Sequence, residues 1–319
     1  MKFRFNSFNE MSEILRAEGI SAEEYAIKRE AFISGQSEDA ILREIDRRIA
    51  VSRASIIKGL KEAQHSRSGL TQGAAAVFFG SKRRLIDDEL FRRTAAYSLA
   101  INEVNACGGK IVAFPTAGSS GIVSGAIWAW WDSKSRERAA AGIAPNAEHG
   151  FTIPSMPEPP FPEQLRAAFL VAGLVGVIIA QQATLAGSEG GCQAECGSAG
   201  AMAAASLVYL EGLSLESLSL EECFSAAALS LKNSLGLACD PVAGLVEVPC
   251  VKRNAFVAVN ALLAVDLTLA GIKSAIPFDD VVLAMKTIGE SMPVSIRESA
   301  QGGLAITPSG LSVKDTLGG

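Results

Sequence analysis

The sequence predicts a mainly α-helical protein in which helices rich in small residues surround a buried site, and three observations carry that prediction. Apolar positions recur at helical spacing through residues 9–65 and through six later stretches, 86–106, 163–182, 198–211, 220–235, 254–271 and 278–292. Only Lys110–Phe114 (KIVAF) reads as a strand, and strands do not alternate with helices, which argues against a Rossmann-type sheet. Several helical stretches consist almost wholly of small residues, AGAMAAA at 199–205 and SAAA at 225–228 among them. Small side chains let helix axes approach closely. They can equally leave backbone and hydroxyl groups lining a polar cavity, and the sequence leaves both readings open.

Taken in order, residues 1–65 form a charged, helical N-terminal segment expected to pack on a core made by residues 66–319, the two together one domain. Ser37, followed by Glu38 and Asp39, offers an N-cap with an acidic first turn. Beyond residue 66 charge thins and Gly, Ala and Ser rise. The most apolar run, AAFLVAGLVGVIIA at 167–180, has fourteen residues, short of the roughly 20 that span a bilayer. Gln181 and Gln182 end it, so a buried core helix is expected. Residues 133–162 are first charged, then rich in Pro and Gly, and read as a long surface loop that holds His149.

Composition bounds the function. A chain of 319 residues with 49% apolar and 20% charged residues can bury a large core. The net charge of −5 excludes a phosphate-binding basic stripe, and the short Lys82–Arg84 run is followed by the acidic Asp87–Glu89. Nucleic acid is therefore not an expected partner. The N-terminus, MKFRFNSFNEMSEI, lacks the apolar stretch of a signal peptide. A mean hydropathy of +0.26 is the one hint of membrane association. The expected location is the cytoplasm, where six cysteines stay reduced or bind metal.

Three cysteines sit beside Gly or Pro at turn-like positions: Cys192 in GGCQAEC, Cys239 in LACDPVAG and Cys250 in EVPCVKRN. Cys107 ends a helix pattern and Cys223 lies within one. Thiolates hold iron–sulfur clusters, and a cluster with three protein thiolates keeps one iron open. Spacing alone favours buried free thiols over a metal site, because no CxxCxxC run is present. Two Gly-rich loops alter that balance. PTAGSSG at 115–121 precedes an apolar helix and presents N–H groups and hydroxyls at its N-terminus, a receptor for a small carboxylate. SGLTQG at 68–73 is a second such loop. Together they nominate Ser68, Gly69, Thr71, Thr116, Gly118, Ser119, Ser120 and Gly121 for substrate. Lys252, Arg253 and Asn254 after Cys250 add positive charge and an amide beside the thiols. The pattern suggests a site for a small polar anion.

In order along the chain, SGLTQGAA, NEVNACGGKIVAFPTAGSSGIVSG, GGCQAECGSAGAMAAA, LGLACDPVAGLVEVPCVKRNA and RESAQGGLAITPSG resemble the motif series of the iron–sulfur L-serine dehydratases. The match is to the alpha subunit of the two-chain bacterial type and runs from about residue 15 to 312. The resemblance implies the helical alpha-chain fold and a [4Fe-4S] cluster, without pyridoxal phosphate, held by Cys192, Cys239 and Cys250. It also implies a beta-subunit partner and loss of water from L-serine to give aminoacrylate, then pyruvate and ammonia. Asn254 joins the substrate residues; Lys252 is the candidate base, and His65 is not part of the family pattern. Cys196 reads as a small filler where the family has an apolar residue. Arg297 and Glu298 are either an exposed helix-end pair or reach the site.

Departures from the pattern cluster in the loops. Ala186 stands for a usual serine, Ser188 for alanine, Gln72 for glycine, Ala74 for aspartate and Ser124 for proline, and residues 133–160 form a longer insert. β-Elimination from another 3-substituted amino acid, or a non-catalytic paralogue, are the alternatives these changes raise.

Overall fold

The computed structural model describes residues 3–140, 152–215 and 219–318. Among the described residues there are thirteen α-helices and no strand. They are α1 Phe8–Glu18, α2 Ala22–Ser34, α3 Glu38–Lys61, α4 Ala74–Gly80, α5 Glu89–Ala106, α6 Ser120–Ala140, α7 Glu163–Gln182, the single turn α8 Gly187–Gly190, α9 Ser198–Leu215, α10 Leu220–Lys232, α11 Cys250–Leu269, α12 Phe278–Ser291 and α13 Pro308–Thr316.

Local sequence sets many of these ends. Ser7, Ser21 and Ser37 each accept a hydrogen bond from the N–H three residues on, opening α1, α2 and α3. Gly19 and Gly35 close α1 and α2 in the left-handed conformation that L side chains avoid. The expected Ser37 cap is therefore present, with Glu38 and Asp39 in the first turn. Ser219 and Glu222 form a capping box at the start of α10.

The core is a layered set of close-packed helices. α5 lies against α3, α6 and α11, while α9 packs against α6, α7, α10 and α11. Small residues permit this. A Cβ on Gly121 would stand 2.3 Å from the Ser98 carbonyl oxygen, and one on Gly59 2.6 Å from that of Ala100. On α9, Ala199, Ala201, Ala203, Ala204 and Ala205 are fully buried. The small-residue helices thus serve tight packing. α7 is long and apolar enough by length and composition to cross a bilayer, yet it is an interior helix packed on α2 and α9.

Two sequence expectations change. Residues 110–114 form no strand; the Lys110 carbonyl accepts from Ser55 Oγ at 2.9 Å, and the Phe114 ring stacks on Phe169. Their β-branched residues favour an extended chain, but the neighbours are helices. The charged start of the 133–160 insert is not loop: α6 continues to Ala140. Just before it, Asp132 is sequestered by Arg53, at 2.8 and 2.9 Å, and by the Tyr97 hydroxyl at 2.7 Å. Residues 141–151, with His149, lie outside the described residues. Residues 152–160 belong to no helix or strand, and the Ser155 carbonyl accepts from Arg53 at 2.9 Å.

Candidate active site

Four thiols meet where α8, α11 and the 233–249 connection converge. Cys192 follows Gly191, whose φ of 74° and crowding by Met292 and the Leu237 carbonyl admit only glycine. The chain then makes a π-turn, Gln193–Gly197, a geometry enriched at functional sites. The buried Gln193 amide pins this turn, donating to the Met285 carbonyl and accepting from the Gly236 N–H, both at 2.9 Å. Cys196 lies inside the π-turn with its sulfur 3.3 Å from that of Cys192. Cys239 is fixed through its backbone to the C-terminal segment: its N–H donates to Ile296 and its carbonyl accepts from the Glu298 N–H. Cys250 is the first residue of α11, and all four thiols are buried.

These thiols share one electrostatic environment. Burial pushes Cys250 up to about 12, with the charge of Cys192 adding to the effect. Cys239 is raised for the same reasons, with Glu195, Cys250 and Glu298 contributing. Cys192 alone is lowered, first by its hydrogen bond with Cys196 and, against burial, by Arg253. Arg253 is anchored by donating to the Ala238 carbonyl at 2.7 Å and pairing with Asp240 at 3.6 Å. Beside the thiols, the fully buried Asn254 donates to the Cys250 carbonyl while its Oδ1 has no partner.

The loop 115–121 closes one side. Thr116 Oγ1 and Ser119 Oγ share a hydrogen bond of 2.9 Å, and the Ser119 N–H donates to Thr116 Oγ1. The carbonyl of Gly118 is held by Asn254 at 2.8 Å and by Asn102 at 3.4 Å, and that of Ala117 by Asn105 at 3.2 Å. α5 and α11 thereby fix the loop from two sides. The Ser119 and Ser120 N–H groups are engaged within the loop, so it is less open as an anion receptor than its sequence predicts.

A carboxylate faces this loop. Glu195 receives the Thr116 hydroxyl, and burial raises its pKa, the Thr116 bond opposing and the charge of Glu298 reinforcing the shift. Oxygens of Glu195 and Glu298 and the Cys239 sulfur all lie within 4.8 Å of one another. Glu298 and Ala300 hold left-handed backbone conformations, φ 62° and 54°, a strain that persists where surrounding structure imposes it.

The family model described as serine dehydratase alpha chain matches residues 17–305. This chain belongs to the serine dehydratase alpha-chain family. It is 38% identical over 317 residues to a probable L-serine dehydratase alpha chain of Bacillus subtilis, covering 99% of this chain and 96% of that one. It is 35% identical over 311 residues to the L-serine dehydratase alpha chain of Peptoniphilus asaccharolyticus, covering 97% of both. A probable alpha chain of Latilactobacillus sakei is 44% identical over 217 residues, 68% of this chain and 90% of that one.

Within this alpha chain the structure brings Cys192, Cys239, Cys250, Thr116, Gly118, Ser119 and Asn254 together. Ser120 and Gly121 open α6 directly behind them. Cys196, read as a small filler, is buried with its sulfur 3.3 Å from that of Cys192. Ser68 and Thr71 spend their hydroxyls on Glu247, each at 2.6 Å, in the loop that also bears Gly69. Glu247 joins that loop to the chain leading into Cys250. Lys252 is exposed, and Arg253 rather than Lys252 meets the thiols. His65 is exposed and bridges Gln72. Ser124 is buried in α6 and lines a cavity between α2, α3 and α7, away from the thiols. Of the Arg297–Glu298 pair, Glu298 reaches the site and Arg297 donates to the Glu189 carbonyl. Sequence reasoning missed Glu195, Glu247 and Gln193. Glu195, a carboxylate among glycines and alanines between two cysteines, was the legible signal.

Proposed function

We propose that this chain is the catalytic alpha chain of an L-serine dehydratase, removing water from L-serine to give aminoacrylate, which hydrolyses to pyruvate and ammonia. The observation that carries this is the convergence of Cys192, Cys239 and Cys250 from three separate segments beside a two-sided hydroxyl loop. Buried thiols on rigid turns, with a cation and an unpaired buried amide beside them, fit a [4Fe-4S] cluster held by those three residues. When bound, the cluster supplies a Lewis-acidic iron to assist departure of the serine hydroxyl.

The chain's own residues supply the rest. Arg253 favours the thiolate of Cys192. Asn102, Asn105 and Asn254 hold the 115–121 loop, so that Thr116 and Ser119 present hydroxyls in fixed positions. Such preorganised polar groups orient a bound amino acid without reorganisation during the reaction. No proton step is assigned to the exposed Lys252. The assembly proposed is one with a separately encoded beta chain, acting in the cytoplasm.

Anaerobic purification followed by iron and sulfide analysis tests the cofactor. A pyruvate or 2-oxoacid assay over L-serine, L-threonine and L-cysteine tests the substrate. Bound iron and sulfide with preferential turnover of L-serine are expected. Full L-serine turnover by iron-free protein would overturn the cofactor assignment, and preference for another amino acid would overturn the substrate. Co-purification with a beta chain, rather than full activity of the isolated chain, is expected.

A further inference from the structure

Glu195 and Glu298 form a like-charged pair without a counter-ion. Their carboxylate oxygens approach within 4.8 Å, and among the described residues no lysine or arginine makes an ion pair with either. The nearby cations are committed elsewhere, Arg253 to Asp240 and the Cys192 sulfur, Arg297 to the Glu189 carbonyl. Such a pair is unfavourable unless something cationic sits between its members. The backbone nonetheless holds it, with Glu298 in a left-handed conformation and its N–H bound to the Cys239 carbonyl.

Glycine backbone packs close to these carboxylates, where a side chain would collide with them. A Cβ on Gly187 would stand 2.8 Å from Glu195 and 3.2 Å from Glu298, and one on Gly118 3.6 Å from Glu195. Glu195 is half-buried and Glu298 exposed, so the pair opens toward solvent at one end and toward the thiols at the other. Thr116 touches Glu195 from the hydroxyl loop. An amino acid is a zwitterion, and here loop hydroxyls stand beside carboxylates that no lysine or arginine pairs among the described residues.

We propose that Glu195 and Glu298 together receive the α-ammonium group of the substrate, and that this pair selects amino acids over the corresponding hydroxy acids. The assignment rests on the dehydratase reading for its substrate, but concerns binding rather than turnover. The ammonium replaces the missing counter-ion and donates to both carboxylates, while the substrate carboxylate turns toward Thr116 and Ser119.

The test compares L-serine with glycerate, in which a hydroxyl replaces the ammonium, by equilibrium binding to the anaerobically purified enzyme. The variants are Glu195→Gln and the exposed Glu298→Gln. The wild type is expected to prefer L-serine. Each variant should lose on the order of tenfold to a hundredfold of L-serine affinity, as for a charged hydrogen bond. Glycerate affinity and the visible cluster absorbance should stay unchanged. Equal weakening of L-serine and glycerate would overturn the proposal, as would an unchanged preference in both variants. A preference that appears only after adding Mn²⁺ would also overturn it, in favour of a metal ion at Glu195, Cys239 and Glu298. A wild type that shows the preference but releases no pyruvate from L-serine overturns the dehydratase reading and leaves the ammonium site standing.

Discussion

The sulfur of Cys196, inside the π-turn Gln193–Gly197, lies 3.3 Å from that of Cys192, four residues earlier in the chain. The two thiols are not equivalent. Arg253 stands beside Cys192, whereas Cys196 is raised by the neighbouring sulfur and by complete burial. The Cys196 thiol and Arg253 favour ionisation at Cys192 rather than at Cys196. In cluster-free protein, the Cys192 thiolate should therefore form below the ordinary thiol range. Cys196→Ala removes the neighbouring sulfur and should move that ionisation to higher pH, followed by thiolate ultraviolet absorbance. An unmoved titration would assign the lowering to Arg253 alone.

Cys192→Ala, Cys239→Ala and Cys250→Ala should each abolish bound iron and sulfide and the activity with them, since each removes one of three thiolates from a shared pocket. Cys107→Ala and Cys223→Ala should keep both, because neither thiol shares in that group of charges. Cys196→Ala is expected to keep the cluster. Loss of iron in Cys196→Ala with retention in Cys192→Ala would reverse the assignment.

Thr116→Ala removes the hydroxyl that bonds both Ser119 and Glu195. Each such bond is worth roughly 1–3 kcal/mol. A loss of kcat/KM on the order of tenfold to a hundredfold is expected, with the visible spectrum unchanged. Steady-state kinetics beside anaerobic absorbance will show whether the two separate.

Glu247 is buried, which by itself would raise its pKa, but hydrogen bonds from Ser66, Ser68 and Thr71 outweigh burial and hold it below the usual carboxylate range. A folded-state pKa below the unfolded value of about 4.3 gives stability that is present above that value and lost as pH falls through the folded one. Glu247→Gln should lower the melting temperature at neutral pH and flatten its decline in acid. An unchanged acid limb would place the pH sensitivity elsewhere.

Gly121→Ala should destabilise the fold. The added methyl meets the Ser98 carbonyl, backbone that cannot rotate away, and overpacking of this kind costs about 1–3 kcal/mol. Thermal unfolding should show a lower midpoint, whereas Gly173→Ala, where a Cβ meets nothing within 4 Å, should leave it near wild type.

The sequence by itself determined the fold class, the interior character of α7 and the Ser37 cap, because helical periodicity and capping are set by neighbours a few residues apart. Its motifs also determined the family. The extended reading of KIVAF was locally sound, but a strand needs a partner, and only packing could show that α3 and α7 flank it instead. The same limit applies to the site. Cys192, Cys239 and Cys250 are separated by 47 and 11 positions, and their convergence depends on the Gln193 amide, the Ile296–Glu298 pairing and the start of α11. Tertiary structure alone placed Cys196 among the thiols, gave the Ser68 and Thr71 hydroxyls to Glu247, and turned Arg253 rather than Lys252 inward. It also set Glu195 against Glu298, 103 positions away. Which charges face one another is fixed by how helices pack and where strained turns point, and no local pattern of residues encodes that distance.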